Sequence, residues 1–243
     1  MDLEPISYEA SGRRFTGFLA DGSGGARAPG VLVIHEGGGL TGHARERAAM
    51  LGALGYVAFA MDLFGEPGAP PKPGEPENLE RLRAIVQELR ADVGLLRARC
   101  ASALAVLQGH RRVDPARLAA IGFCFGGAAA IELARSGAPL KALAGFHAGV
   151  LPGSAEDDKA IKAKILLCHG EQDPVVPASQ IQDFTGRLTE AGVDWQLHLY
   201  GGIGHSFTNR EIDAWNLPGF FYDERADRRS WAALRQLLGE ACS

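Results

Sequence analysis

Along this chain, short and mostly apolar runs alternate with amphipathic stretches. Residues 30–36 (GVLVIHE) are apolar and rich in β-branched side chains until they end in charge and three glycines. Residues 56–61 (YVAFAM), 118–123 (LAAIGF), 140–146 (LKALAGF) and 165–168 (ILLC) have the same character. Runs of this length without a polar face belong to strands buried on both sides, in a parallel sheet covered by helices. Residues 195–200 (WQLHLY) alternate more and suit a strand nearer an edge, and residues 14–20 are expected to add an antiparallel edge strand. Between the strands, residues 43–54 carry Ala48, Leu51 and Leu54 at a spacing of three, and residues 227–238 put Trp231, Leu234 and Leu238 on one helical face. Residues 180–188 and the arginine-rich stretch 78–108 also read as helix. Residues 65–76, with five prolines and three glycines, read as neither helix nor strand. No repeat and no second compositional regime interrupts the alternation. It predicts one α/β domain over residues 1–243, a mostly parallel sheet with helices on both faces.

Composition narrows the function. Hydrophobic residues make up 46% of the 243 and charged residues 22%, the balance of a folded globular chain. Lys and Arg number 25 against 29 Asp and Glu, a net charge of −4, which offers no basic field to hold a nucleic-acid backbone. The longest near-apolar run, residues 119–131, is broken by glycine and too short for a bilayer. The first ten residues carry acids and no apolar signal core, and the 4 cysteines form no CxxC pair, so a reduced cytoplasmic protein is expected. His35-Glu36 is not followed by x-x-His, the glycines at 37–39 lack the Lys-Ser/Thr of a phosphate loop, and no G-x-G-x-x-G follows a strand. Neither a metal nor a nucleotide cofactor is expected.

The chemistry concentrates in residues 121–130 (IGFCFGGAAA), where an apolar strand runs into Gly-x-Cys-x-Gly-Gly and then an alanine-rich helix. A nucleophile on such a turn sits in a strained backbone conformation, and its flanking glycines allow the strand and helix to approach closely. The new helix points its unpaired N–H groups at the sulfur, which favours thiolate over thiol. Two partners follow in the order nucleophile, acid, histidine. Asp173 lies in HGEQDP just past the apolar strand ending at Cys168, and His205 lies in GGIGHSF just past the next strand. In this arrangement His205 takes or holds the thiol proton, and Asp173 fixes its tautomer. Cys168 and Cys100 read as core packing, and His35, His147 and His169 as satisfied histidines near strand ends.

The segments GFCFGG, EQDPVVP and GHSF resemble the dienelactone hydrolase family, a cysteine-nucleophile branch of the α/β-hydrolase fold, and the resemblance runs from Arg14 to the last helix. It implies a Cys124–His205–Asp173 triad, with the backbone N–H groups of Phe125 and Gly37 as oxyanion hole. It also implies that Glu36 holds the resting cysteine until substrate releases the thiolate; a carboxylate beside a thiol opposes its ionisation. Family members grip a substrate carboxylate with arginines, one of them four residues after the histidine. Here that position is Asn209, followed by Arg210, and the other arginine's region carries Arg81 and Arg83. Arg81, Asn209 and Arg210 are therefore the candidate substrate contacts.

The expected partner is a small carboxylic ester or lactone, cleaved without a cofactor. A phosphotriester attacked by the same thiolate is the second expectation. A non-catalytic binding protein on a hydrolase fold is the third.

Overall fold

The structure is a computed structural model that describes residues 1–65 and 76–242. The reading of residues 65–76 as irregular falls, between its two end residues, outside the described ones. Because side chains of a strand alternate between faces, each central strand feeds two cores. Val31, Val33, Ile121, Phe123, Ala144 and Leu166 face one, while Leu32, Ile34, Ala120, Leu143, Ile165 and Leu167 face the other. This double burial is why the runs are apolar throughout.

In chain order the elements are β1 (Glu4–Ala10), β2 (Arg13–Asp21), β3 (Ala28–Ile34), α1 (Gly42–Ala53), β4 (Val57–Met61), α2 (Pro76–Ala91), α3 (Val93–Gly109) and β5 (Val113–Phe123). They continue with α4 (Phe125–Arg135), β6 (Leu140–Phe146), α5 (Ala155–Lys159), β7 (Lys164–Gly170), α6 (Ala178–Glu190), β8 (Trp195–Tyr200) and α7 (Glu224–Ala241). A six-residue 3₁₀ turn, Arg210–Trp215, precedes α7. The eight strands form one sheet in the order β1-β2-β4-β3-β5-β6-β7-β8. Strands β3 to β8 pair parallel, and β1 and β2 are antiparallel additions. Helices α1 and α7 pack on one face, α2, α3, α4 and α6 on the other.

Three expectations are corrected. The strand expected over residues 14–20 is antiparallel but is not the edge, because β1 pairs outside it from Glu4↔Leu19 to Ala10↔Arg13. The stretch 78–108 is two helices. Asp92 ends the first and caps the second, its carboxylate accepting from Leu95 N–H at 2.8 Å. The run 30–36 stops pairing at Ile34, so His35 and Glu36 project beyond the sheet at the carboxyl ends of the parallel strands. Ligands of open α/β sheets bind at that edge. Among the described residues no helix is long and apolar enough to cross a membrane.

Candidate active site

Cys124 joins β5 to α4 with φ 52° and ψ −117°, a conformation that costs a residue with a Cβ on the order of 1–3 kcal/mol. The close approach around it explains the glycines: a Cβ on Gly122 would overlap the carbonyl of Gly126, and one on Gly126 would overlap the carbonyls of Ile34 and His35. Its backbone N–H donates to Phe146 O at 3.0 Å, which fixes the elbow to β6. The far end of α4 is anchored by Arg135, buried between Glu132 (2.6 Å) and Asp158 (2.8 Å). Phe125 opens α4, so its N–H has no carbonyl one turn earlier to bond.

His205 and Asp173 come from the loops after β8 and β7. His205 Nδ1 and Asp173 Oδ2 are 2.7 Å apart, with both side chains almost fully buried. Asp173 Oδ1 accepts from the backbone N–H groups of Val175 (2.8 Å) and Val176 (2.9 Å). Burial opposes ionisation of this carboxyl, but the bond to His205, the charge of His205 and the two backbone donors hold its pKa below the usual value. Burial likewise works against a charged His205. The charge of Cys124 and the bond to Asp173 overcome it and push the pKa of His205 up to about 10. His205 Nε2 makes no hydrogen bond among the described residues, and His205 lines the same cavity as Cys124.

Glu36 differs from expectation. Its Oε1 accepts from Ser206 Oγ at 3.1 Å and its Oε2 from Asn209 Nδ2 at 2.6 Å, so both carboxylate oxygens are engaged by the histidine loop and not by the thiol. Burial raises its pKa above the usual carboxylate value against these two donors. Below it, Thr208 Oγ1 lies 2.9 Å from His147 Nε2 and 3.3 Å from His43 Nε2. Both histidines stay neutral: burial drives His147 well below the ordinary imidazole pKa and takes His43 to about 3. His147 also packs edge-on against His205, ring centres 5.0 Å apart. Of the five non-glycine residues with positive φ among the described residues, Cys124, His147 and Ser206 lie here. Backbone strain concentrated in this way accompanies functional sites.

Cys124, Phe125, His205, Glu36 and Gly37 open into one cavity of about 540 Å³, a volume suited to a small organic ligand. Asp173 stands behind His205. The remaining candidate contacts divide. Asn209 lines the cavity, but its amide is committed to Glu36 and its Oδ1 to Glu211 N–H at 3.0 Å. Arg210 lies outside, stacked 5.0 Å over the ring of Tyr222, and Arg81 is not in the wall. Helix α2 turns Arg83 and Arg90 toward the cavity instead. The histidines read as satisfied do brace the site. His35 holds Glu36 O at 2.6 Å and Leu63 N–H at 3.0 Å, and His169 holds Val176 O at 3.0 Å. Among the described residues no group of three or more His, Cys, Asp or Glu side chains could hold a metal ion.

A profile of the dienelactone hydrolase family matches residues 15–242, which takes in every residue of the site described above. The chain belongs to the dienelactone hydrolase family. Among the relatives it resembles is the carboxymethylenebutenolidase of Pseudomonas putida, 28% identical over 211 residues that cover 85% of this chain and 86% of that one. Two solved structures each superpose with a TM-score of 0.92 over 100% of this chain and 99% of theirs. One is m3DLH, 42% identical. The other is P91 from metagenomic libraries, a dienelactone hydrolase-like promiscuous phosphotriesterase, 36% identical. The α/β-hydrolase-like fold of the family is the one the resemblance implied, and its mostly parallel, helix-covered sheet is the architecture expected from the hydrophobic pattern.

Proposed function

We propose that this dienelactone hydrolase-family chain hydrolyses carboxylic esters and lactones through a cysteinyl acyl-enzyme formed on Cys124. The observation that carries this reading is geometric: the imidazole of His205, fixed by Asp173 at 2.7 Å, lines the same cavity as Cys124 on the strained elbow between β5 and α4. The Cys124 thiolate attacks the carbonyl carbon, and the resulting oxyanion is met by the N–H groups of Phe125 and Gly37. Both are backbone donors already oriented when the charge develops. The tetrahedral adduct collapses, the carbon–oxygen bond to the leaving group breaks, and His205 Nε2 gives that oxygen its proton. With the thiolate consumed, His205 loses the charge that raised its pKa and becomes the base that takes a proton from water. Attack of that water releases the acid and restores thiolate and imidazolium. No cofactor enters these steps, and a cytoplasmic setting keeps the thiol reduced.

A second reading, phosphotriester hydrolysis, is favoured by the full-length similarity to P91. The same thiolate attacks phosphorus, and its low basicity makes the phosphoryl-thioester release it again. The test is product formed per enzyme with p-nitrophenyl acetate, dienelactone and paraoxon side by side. Because Asn209 is spent on Glu36, the neutral ester is expected to exceed dienelactone in kcat/KM. A large advantage for dienelactone would instead assign Arg83 and Arg90 to its carboxylate. Paraoxon is expected to turn over slowly but repeatedly; a single burst of one equivalent ends the phosphotriester reading. No turnover of any of the three ends both.

Glu36 acts in this scheme as a carboxylate held away from the thiol by Asn209 and Ser206. Asn209→Ala is expected to free it toward Cys124 and slow alkylation by iodoacetamide several-fold at neutral pH, since a nearby carboxylate opposes thiolate. Adding Glu36→Gln to that variant should restore the rate. The reading is selective for Cys124, because Cys100, Cys168 and Cys242 are buried with pKa values pushed up by burial to about 12, about 12 and about 11. An unchanged rate in Asn209→Ala would remove this role from Glu36.

A further inference from the structure

The chain from Arg210 to Asp223 carries apolar side chains that the fold does not bury. Ile212, Trp215, Leu217 and Phe220 are all half-buried, and all four line the cavity. Solvent-facing aromatic and aliphatic groups gathered in one concave wall signal a ligand surface more than isolated exposed residues do. The wall is also held in place. Asn209 caps its first turn by accepting from Glu211 N–H at 3.0 Å, and Asp213 Oδ1 accepts from Tyr222 N–H at 2.8 Å. His205 N–H donates to Gly219 O at 2.8 Å, and Phe221 N–H donates to His205 O at 3.3 Å. Gly219, at φ 77°, lies against the ring of Pro174, next to Asp173. The apolar wall and the histidine loop therefore form one unit.

Within that unit Phe220 stands edge-on to the imidazole of His205, ring centres 4.9 Å apart. Position assigns the wall to one side of the scissile bond. In the reaction drawn above, the carbonyl oxygen faces Phe125 and Gly37, and the leaving oxygen must reach His205 Nε2. Whatever is attached to the leaving oxygen then emerges beside Phe220 and runs toward Leu217, Trp215 and Ile212. We infer that this wall is the leaving-group subsite, and that the esters best used by this enzyme carry an aromatic or bulky apolar alcohol. The inference rests on the esterase reading and specifies which half of the substrate the wall selects. Trp215 is its largest element, and indole contributes to a bound aromatic group both buried area and ring-on-ring attraction.

The experiment compares wild type with Trp215→Ala in two substrate series. The first fixes the acyl group and varies the alcohol, 2-naphthyl acetate against ethyl acetate. The second fixes the alcohol and varies the acyl group, p-nitrophenyl butyrate against p-nitrophenyl acetate. In Trp215→Ala the naphthyl-to-ethyl ratio of kcat/KM is expected to fall about tenfold relative to wild type, the size of a lost aromatic contact with its burial. The butyrate-to-acetate ratio is expected to move less than about twofold. Ratios taken within one preparation do not depend on how much of it has folded, and the leaving groups' intrinsic reactivity cancels between variant and wild type. An unchanged naphthyl-to-ethyl ratio overturns the assignment, and so does a shift confined to the acyl series. Failure of the wild type to cleave any of the four esters overturns the esterase reading itself, and this inference with it.

Discussion

Replacing Cys124 by alanine is expected to lower kcat for ester hydrolysis by at least about 10⁴-fold, the loss seen when the nucleophile of a cooperating set is removed. Phe125, Gly37, His205 and Asp173 remain in such a variant, but no other side chain stands on the elbow to form the acyl-enzyme. Cys124→Ser is expected to recover little, because a serine hydroxyl does not ionise beside His205 as a thiol does. The fold should survive, since alanine at φ 52° carries the same backbone strain as cysteine and fills no more space. Cys124→Gly sharpens the point. Glycine removes the Cβ penalty at this φ, so the inactive variant is expected to gain about 1 kcal/mol, roughly 2–4 °C in Tm for a chain of this size. Kinetics with p-nitrophenyl acetate and a thermal melt check both halves. More than a few per cent of wild-type kcat in Cys124→Ala would remove Cys124 from the mechanism.

The parts of this site that sequence made legible are those set by local rules. The strand before Cys124 and the helix after it are written in ten consecutive residues, and the glycines there are demanded by contacts with β3 and with the same turn. Asp173 and His205 could be placed because each follows an apolar run, and the carboxyl ends of parallel strands meet at one edge. What could not be read depends on contacts between distant segments. Asn209 reaches Glu36 across 173 positions of chain, so its amide looked free for substrate. Ser206, Thr208 and Asn209 are polar yet 3%, 1% and 6% exposed. A polar run beside a loop histidine reads as solvated until the tertiary structure covers it. The turn Arg210–Trp215 spans six residues, too few for a period to show, and its apolar members are spaced among acids. The break between α2 and α3 did leave a local mark, an aspartate followed by an apolar run, which is an N-cap signature. Strand β1 was hidden for another reason. As an outer antiparallel strand it buries only alternate residues, Tyr8 and Ala10, and lacks the continuous apolar run of a central strand.

His205→Ala is the other change with a large expected effect, and its size should depend on the leaving group. An ethyl ester expels a strongly basic alkoxide, so loss of the proton donor is expected to cost on the order of 10³-fold in kcat/KM, within the range of general acid–base catalysis. A p-nitrophenyl ester needs no such proton. Its acylation by the remaining thiolate fraction should continue, while hydrolysis of the acyl-enzyme, which needs His205 as base, should stall. The signature in His205→Ala is therefore a burst of about one equivalent of p-nitrophenol followed by slow release. The same logic fixes the pH profile of the wild type. The His205 pKa is raised, to about 10, so the imidazolium that protonates the leaving group is present throughout neutral pH and is lost as pH rises through that value. For the ethyl ester, kcat/KM should be level across neutral pH and fall on the alkaline side near 10, since this parameter reports the free enzyme. The p-nitrophenyl ester should show no such alkaline fall in kcat/KM, because thiolate persists and its leaving group requires no acid. Asp173→Asn removes one of the interactions that raise the pKa, the carboxylate at 2.7 Å, and should bring the ethyl-ester limb to lower pH. Wild-type steady-state rates in His205→Ala, or identical alkaline limbs for the two esters, would exclude proton transfer by His205 from the mechanism.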